Sequence, residues 1–195
     1  MSIDLDVYPF HDKVLTKQEL EAEIQRQMEN SDFIQGFGLY HFRKRELFTM
    51  SPDEPIQPDN FYAFMHPEQG CHIYFDVIPL EGPDDLSREY LCWLIQHNNI
   101  GGTLQRKLIQ QVEHIPFYFA VSFNARGLTD GQMLSYFPLV QALGVALAVL
   151  TDGLISPKSS AFGPPDSLYL PCHFQNLWVP QMGSPYAPRQ LLSGE

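Results

Sequence analysis

The feature that most constrains the fold is an almost wholly apolar run at residues 139–150, in which Gln141 is the one strongly polar side chain. A surface helix of a soluble protein keeps a polar stripe towards water, so a helix that is apolar on nearly all sides has to be covered on most sides. The run is shorter than the ~20 residues that a helix needs to cross a bilayer. It therefore predicts a largely buried core helix at about residues 130–151.

Two signals leave the start of this helix open. Thr129 and Gln132 have the spacing of a capping box, which would start the helix near residue 130. Pro138 lies inside the helical pattern, where a proline either kinks a helix or occupies its first turn. The helix therefore starts near residue 130 with a kink, or near residue 138.

Patterns in the rest of the chain predict an α+β fold. Ile3, Leu5 and Val7 alternate with aspartates, as in a strand with one covered face, and residues 117–124 also alternate. Aromatic and β-branched runs at residues 61–66 and 71–78 flank a short turn, as in a hairpin. Helical patterns lie at residues 17–29, 87–97 and 103–112 and in the apolar run. We expect a mainly antiparallel sheet of about five to six strands, packed with four helices.

Length and composition predict one domain. A chain of 195 residues that is 44% apolar and 18% charged can bury a full core without disulfides or structural metals. We therefore expect residues 1–195 to form a single α+β domain. Prolines recur from about residue 162, between apolar residues such as Leu170 and Trp178, which predicts an extended C-terminal segment, residues 162–195, packed on that domain.

Charge and cysteine content restrict the partners and the location. A formal net charge of −11 opposes binding to nucleic acid phosphates or to anionic lipid. The three cysteines are widely spaced, in a chain too large to depend on disulfides. The first residues lack the basic and apolar regions of a secretory signal. These features predict a cytoplasmic protein that binds neither nucleic acid nor membrane, and we expect no cofactor.

One group of side chains could carry acid–base chemistry. His66, His72, Tyr74 and Asp76 lie in the predicted hairpin, and His41 could assist them. Such a site would suit a hydrolase acting on a small molecule, provided that these side chains converge. The favoured interpretation is that the histidines are ordinary surface residues near a turn, so we do not expect an enzyme.

The register of the hairpin decides whether the two histidines meet. A four-residue loop places His66 beside Cys71 and collects the aromatic residues of both strands on one face. A five-residue loop places His66 opposite His72 instead. The first register buries more aromatic surface, so we favour it, and it separates the histidines.

The dipeptide Cys-His occurs twice, at Cys71-His72 and at Cys172-His173, and could suggest two halves of a zinc site. Adjacent residues on a strand point to opposite faces, so one metal ion would struggle to bind both members of a pair. We therefore predict that the protein binds no structural zinc, which elemental analysis of protein purified without chelator would check.

Acidic residues are concentrated near the N-terminus. Twelve of the 23 Asp and Glu residues lie in the first 60 positions, together with six Lys and Arg. Such an excess can steer a basic partner towards the protein. We therefore expect a basic protein partner at the face of the first helix, with Glu19, Glu23 and Asp32 as the candidate binding residues.

Three functional hypotheses follow. The apolar run and its continuation to Pro157 resemble segments of several small bacterial proteins of unknown function, some suspected of neutralising toxins or binding partners. That resemblance carries no functional side chain. The leading hypothesis is a non-enzymatic protein-binding or regulatory module of the bacterial cytosol, and the alternative is the hydrolase-like enzyme. The third is a homodimer whose C-terminal segment exchanges between subunits.

Overall fold

A computed structural model of the protein describes residues 2–28, 34–82, 85–98, 100–159, 162 and 164–177. Seven strands form one sheet in the order β3-β2-β4-β5-β6-β1-β7, and every neighbouring pair is antiparallel. The strands are β1 (Ser2–Tyr8), β2 (Gly38–Arg43), β3 (Glu46–Thr49), β4 (Phe61–His66), β5 (Gly70–Pro79), β6 (Phe117–Asn124) and β7 (Leu154–Pro157). The helices are α1 (Lys17–Gln27), α2 (Leu86–His97), α3 (Gly102–Val112), α4 (Asp130–Leu150) and α5 (Pro171–Gln175).

The predicted α+β class and the antiparallel sheet are confirmed. The sheet has seven strands, slightly more than the five to six expected. Both of its outermost strands, β3 and β7, have only four residues. Four residues are too few for alternation to reveal a strand clearly, and β7 is buried at every position.

The apolar run forms the centre of the main core, as predicted. Leu139, Leu143 and Ala146 of α4 are fully buried, together with residues of α1 and of one sheet face. By length and composition the helix could cross a membrane, but 67% of its apolar stretch is buried inside the protein. Its chemistry is therefore that of a core helix.

The helix α4 begins at Asp130, so a start near residue 138 is wrong. Thr129 accepts a hydrogen bond from the backbone N–H of Gln132, and the Gln132 side chain accepts one from the backbone N–H of Thr129. Pro138 is accommodated within the helix. The capping box satisfies backbone donors at the helix start, so it fixes the first turn upstream of the proline.

The one strongly polar residue in the apolar run of α4, Gln141, binds the segment that follows β7. The side-chain amide of Gln141 donates to the backbone carbonyl of Phe174, at 2.7 Å, and Phe174 is fully buried. Tyr169 pairs with Ile155 as an added bridge beside β7. Residues 164–177 are therefore anchored on the core, although the short helix α5 was not predicted; Trp178 lies outside the described residues.

A second apolar cluster lies on the opposite face of the sheet. Residues of α2 and α3, such as Leu91, Leu94 and Val112, pack there with Tyr8, Leu154 and the half-buried Tyr118. The strand residues in this cluster come from β1, β6 and β7. Among the described residues, the helices of this cluster therefore pack over β1, β6 and β7 and not over β2, β4 and β5.

Candidate functional site

The face of β2, β4 and β5 that turns away from the main core carries an aromatic–acid patch, which we define as Phe42, Phe61, Tyr74 and Asp76. In β5, Ile73, Phe75 and Val77 are buried in the main core, whereas Tyr74 and Asp76 alternate with them and are half-buried. Phe61 lies directly opposite Asp76. Directly paired residues project from the same face, so the patch points away from the main core.

The three aromatic rings of the patch contact one another. The ring centroids of Phe42 and Phe61, of Phe42 and Tyr74, and of Phe61 and Tyr74 are each 5.4 Å apart. The Phe61 and Tyr74 rings are stacked at 19°, and Phe42 meets them at steeper angles. These are favourable aromatic geometries, and they produce a compact ring platform.

The platform extends to the edge of the sheet. Phe42 lies opposite Leu47 of the outermost strand β3, and Leu47 is 40% exposed. A sheet face that only meets water normally carries polar residues at these positions. The apolar residues on this face therefore depart from the pattern of a sheet face that only meets water.

Asp76 is the unusual charge of the patch. Burial raises the pKa of its carboxyl group. Its carboxylate makes no hydrogen bond or ion pair with any residue that the structure describes. The group has therefore lost part of its hydration without receiving a partner from the described part of the chain.

Asp6 provides an internal comparison on the same sheet face. Asp76 pairs with Ala120, which in turn pairs with Asp6. Burial raises the pKa of Asp6, but the Lys158 ammonium lies 3.1 Å from its carboxylate and opposes that rise. The Tyr8 hydroxyl also donates to Asp6. Only one of these two carboxylates is therefore compensated within the described residues.

The hairpin register corrects one prediction. Phe64 lies opposite Ile73, as the favoured register required, but His66 then pairs with Gly70 rather than with Cys71. The shift is a bulge, and the connecting loop is one residue shorter than predicted. Gly70 has a φ of +83°, a conformation that glycine adopts without strain. Alternation in the sequence shows which residues share a face but does not reveal a bulge.

The two hairpin histidines lie beside one aromatic pair. The His66 ring contacts Phe37, the His72 ring contacts Tyr136, and the Phe37 and Tyr136 rings contact each other. Nδ1 of His66 accepts from the backbone N–H of Glu68 at 3.1 Å.

The structure does not bring His66 together with Asp76. His66 is at the turn, whereas Asp76 pairs with Phe61 at the far end of the same strand pair. Five residues of strand separate the two sites by roughly 16 Å. Tyr74 belongs to the ring platform, and Nδ1 of His72 donates to the backbone carbonyl of Asn124. General acid–base chemistry needs its groups within hydrogen-bond reach of one substrate, and His66 and Asp76 do not share such a place.

His41 is engaged elsewhere. It is 8% exposed, stacks on Tyr62 and pairs through Nε2 with Glu54 at 2.5 Å. The hydrogen bond from His41 lowers the pKa of Glu54. Because Tyr62 belongs to the main core cluster, this pair lies on the face opposite the aromatic–acid patch.

The predicted acidic binding residues are partly committed to α1 itself. Glu19 closes the capping box with Thr16 and pairs with Lys13 at 3.1 Å. Glu23 pairs with Arg26 and accepts from Gln27. Asp32 lies outside the described residues. The two described carboxylates can still contribute to long-range attraction, although each already has a partner.

Across the described part of the chain, no three His, Cys, Asp or Glu residues gather closely enough to hold a metal ion. Cys172 is exposed in α5, and Cys92 is half-buried in α2. The prediction that the protein binds no structural zinc remains to be checked by elemental analysis.

Sequence patterns single out Tyr74 and Asp76 as acid–base candidates but do not reveal the ring platform beside them. A usable signal was present in β4, where Phe61, Ala63 and Met65 alternate with Tyr62 and Phe64. Such a strand is apolar on both faces, which shows that both faces are covered or used for contact.

The structure is that of an α+β protein in which α2 and α3 pack over β1, β6 and β7 on one sheet face, while the aromatic–acid patch lies on β2, β4 and β5 of the same face. Comparisons with family models, with curated proteins and with solved structures found no match.

Proposed function

We propose that this protein is a non-enzymatic protein-binding module of the bacterial cytoplasm, and that it binds a basic protein partner through the aromatic–acid patch. The observation that carries the proposal is the platform of Phe42, Phe61 and Tyr74 beside the Asp76 carboxylate, which has no ion-pair partner among the residues that the structure describes. Contiguous apolar residues on a surface mark interaction sites more often than chance. Aromatic side chains are also enriched at the energetic centres of interfaces.

The charge of the whole chain supports a basic partner. A net charge of −11 attracts positively charged proteins before contact and raises their association rate. In this proposal, the acidic α1 region with Glu19, Glu23 and Asp32 contributes mainly to that attraction. The patch supplies the close contacts.

Affinity capture with matched variants tests the proposal. The tagged full chain is used to capture proteins from its native cells, and mass spectrometry identifies them. The double variant Phe61→Ala/Tyr74→Ala removes most of the platform. Trp93→Ala is the matched control, because Trp93 is 43% exposed on α2, on the opposite half of the sheet face. Circular dichroism checks that each variant is folded.

The expected result is a protein that wild type and Trp93→Ala capture and the double variant does not. Titration of that purified protein should show an affinity lower by about tenfold or more in the double variant, since truncation of central aromatic residues has effects of this size. If every specifically captured protein binds the double variant as well as wild type, the patch is not the interface.

A further inference from the structure

The chemistry of the partner is restricted by where Asp76 sits. Antiparallel partners lie about 5 Å apart between their Cβ atoms, so Asp76 stands beside Phe61. Tyr74 is two residues away on the same strand and face, at roughly 7 Å. The carboxylate therefore borders the stacked rings of Phe61 and Tyr74. A group that packs against the Phe61 and Tyr74 rings therefore lies next to this carboxylate.

Covering the patch with a purely apolar surface would be unfavourable. Burial has already raised the pKa of Asp76, and further loss of water would disfavour its charged form more strongly. A partner that brings a cation to the carboxylate offsets this desolvation. Complementarity to the patch therefore requires apolar or planar surface together with a positive charge.

An arginine side chain combines both properties. Its guanidinium group is planar, stacks on aromatic faces, and presents paired donors that match a carboxylate. A lysine ammonium can lie over a ring but offers neither planar stacking nor paired donors. The same fold contains a cation on a ring next to a carboxylate, because Lys158 lies 3.8 Å from the Tyr90 ring centroid while it pairs with Asp6.

On the basis of the proposed function, we infer that the protein partner inserts an arginine side chain into the aromatic–acid patch. Its guanidinium packs against the Phe61 and Tyr74 rings and pairs with the Asp76 carboxylate. In the complex, Asp76 makes an ion pair with the partner that is equivalent to the one that Asp6 makes with Lys158 within the chain.

A titration of the full chain with a small probe tests the inference without a purified partner. The probe is N-acetyl-arginine amide, and N-acetyl-citrulline amide is the matched neutral probe of similar shape. Nuclear magnetic resonance follows the side-chain signals of Phe61, Tyr74 and Asp76. The variants are Asp76→Asn and, as a control for the same chemical change, Asp12→Asn at an exposed position after β1.

The arginine probe should shift all three signals in a saturable way, and the citrulline probe should bind more weakly by about tenfold. Asp76→Asn should weaken arginine binding by a similar factor, and Asp12→Asn should leave it unchanged. Equal binding of the two probes, or full binding to Asp76→Asn, would overturn the inference. So would the absence of any shift at the highest soluble probe concentration.

These outcomes are separate from a failure of the proposed function. If Phe61→Ala/Tyr74→Ala abolishes partner capture while arginine and citrulline bind alike, the patch is an interface for a partner without the inferred arginine. If capture does not depend on the platform, the proposed function itself is wrong, whatever the probes do.

Discussion

At the scale of single residues, the protonation of the half-buried Asp76 affects the stability of the fold. Burial raises its pKa above the usual 3.8, so the folded state holds this proton more tightly than the unfolded state does. The stabilising effect of that proton is full below pH 3.8 and is lost as the pH rises through the raised pKa. At neutral pH the charge therefore opposes folding.

We accordingly expect Asp76→Asn to increase the free energy of unfolding at neutral pH. The gain over wild type should shrink as the pH falls below 3.8, where the aspartate is protonated in both states. Urea unfolding followed over this pH range measures it, with Asp12→Asn as the exposed control. A neutral-pH loss of stability in Asp76→Asn would show that the carboxylate has a partner that stabilises the fold. A gain would show that the Asp76 charge is retained at a cost in stability.

The turn between β2 and β3 is a second place where single residues lower stability, because its backbone conformation is unfavourable for residues with a side chain. Lys44 and Arg45 have φ values of 50° and 67° in a two-residue hairpin connection. This geometry suits Asn-Gly, and a side chain in the left-handed region costs about 1–2 kcal/mol. Lys44→Asn/Arg45→Gly should therefore raise the free energy of unfolding by about 1 kcal/mol after the higher chain entropy of glycine is subtracted.

Equilibrium denaturation measures this change. The matched control is Arg43→Gln, which precedes the turn in β2 and keeps a long polar side chain. A stability equal to or below wild type in Lys44→Asn/Arg45→Gly would mean that these two residues make contacts that offset their backbone strain.

At the scale of elements, α4 can be tested by placing the same charge on two of its faces. Ala146 is fully buried and Val149 is 37% exposed. An unpaired carboxylate in the core costs several kcal/mol, a large share of the net stability of a domain. Ala146→Asp should therefore unfold the protein or lower its melting temperature sharply, whereas Val149→Asp should have a small effect. Similar melting temperatures for the two variants would contradict the central position of this face.

The elements also show how far the sequence could predict the structure. The helix α4 was predictable because an apolar run has one physical outcome in a soluble protein, and its capping box marked the start. The bulge before His66 was not, because it changes the pairing only at the end of β4 and leaves the alternation from Phe61 to Phe64 intact. The aromatic–acid patch depends on where α2 and α3 pack, which is decided by tertiary contacts rather than by local pattern.

At the scale of the whole molecule, charge and patch should control different steps of association. Long-range attraction acts on the association rate, whereas loss of a buried ion pair acts mainly on dissociation. The net charge of −11 and the Asp76 carboxylate therefore predict two separable kinetic effects on the captured partner.

The charge effect can be tested with substitutions that leave the helix cap intact. Glu19 closes the capping box of α1, so its reversal would also disturb the fold. Asp12, Glu46 and Asp53 are exposed, and changing all three to Lys shifts the net charge of −11 by six units. Association with the captured partner should slow several-fold at low salt, and the difference from wild type should shrink as salt screens the charges. Dissociation should stay close to wild type in this variant and accelerate in Asp76→Asn, as stopped-flow or surface-binding kinetics would show. An association rate that is unaffected by the triple change at low salt would mean that the acidic surface takes no part in partner encounter.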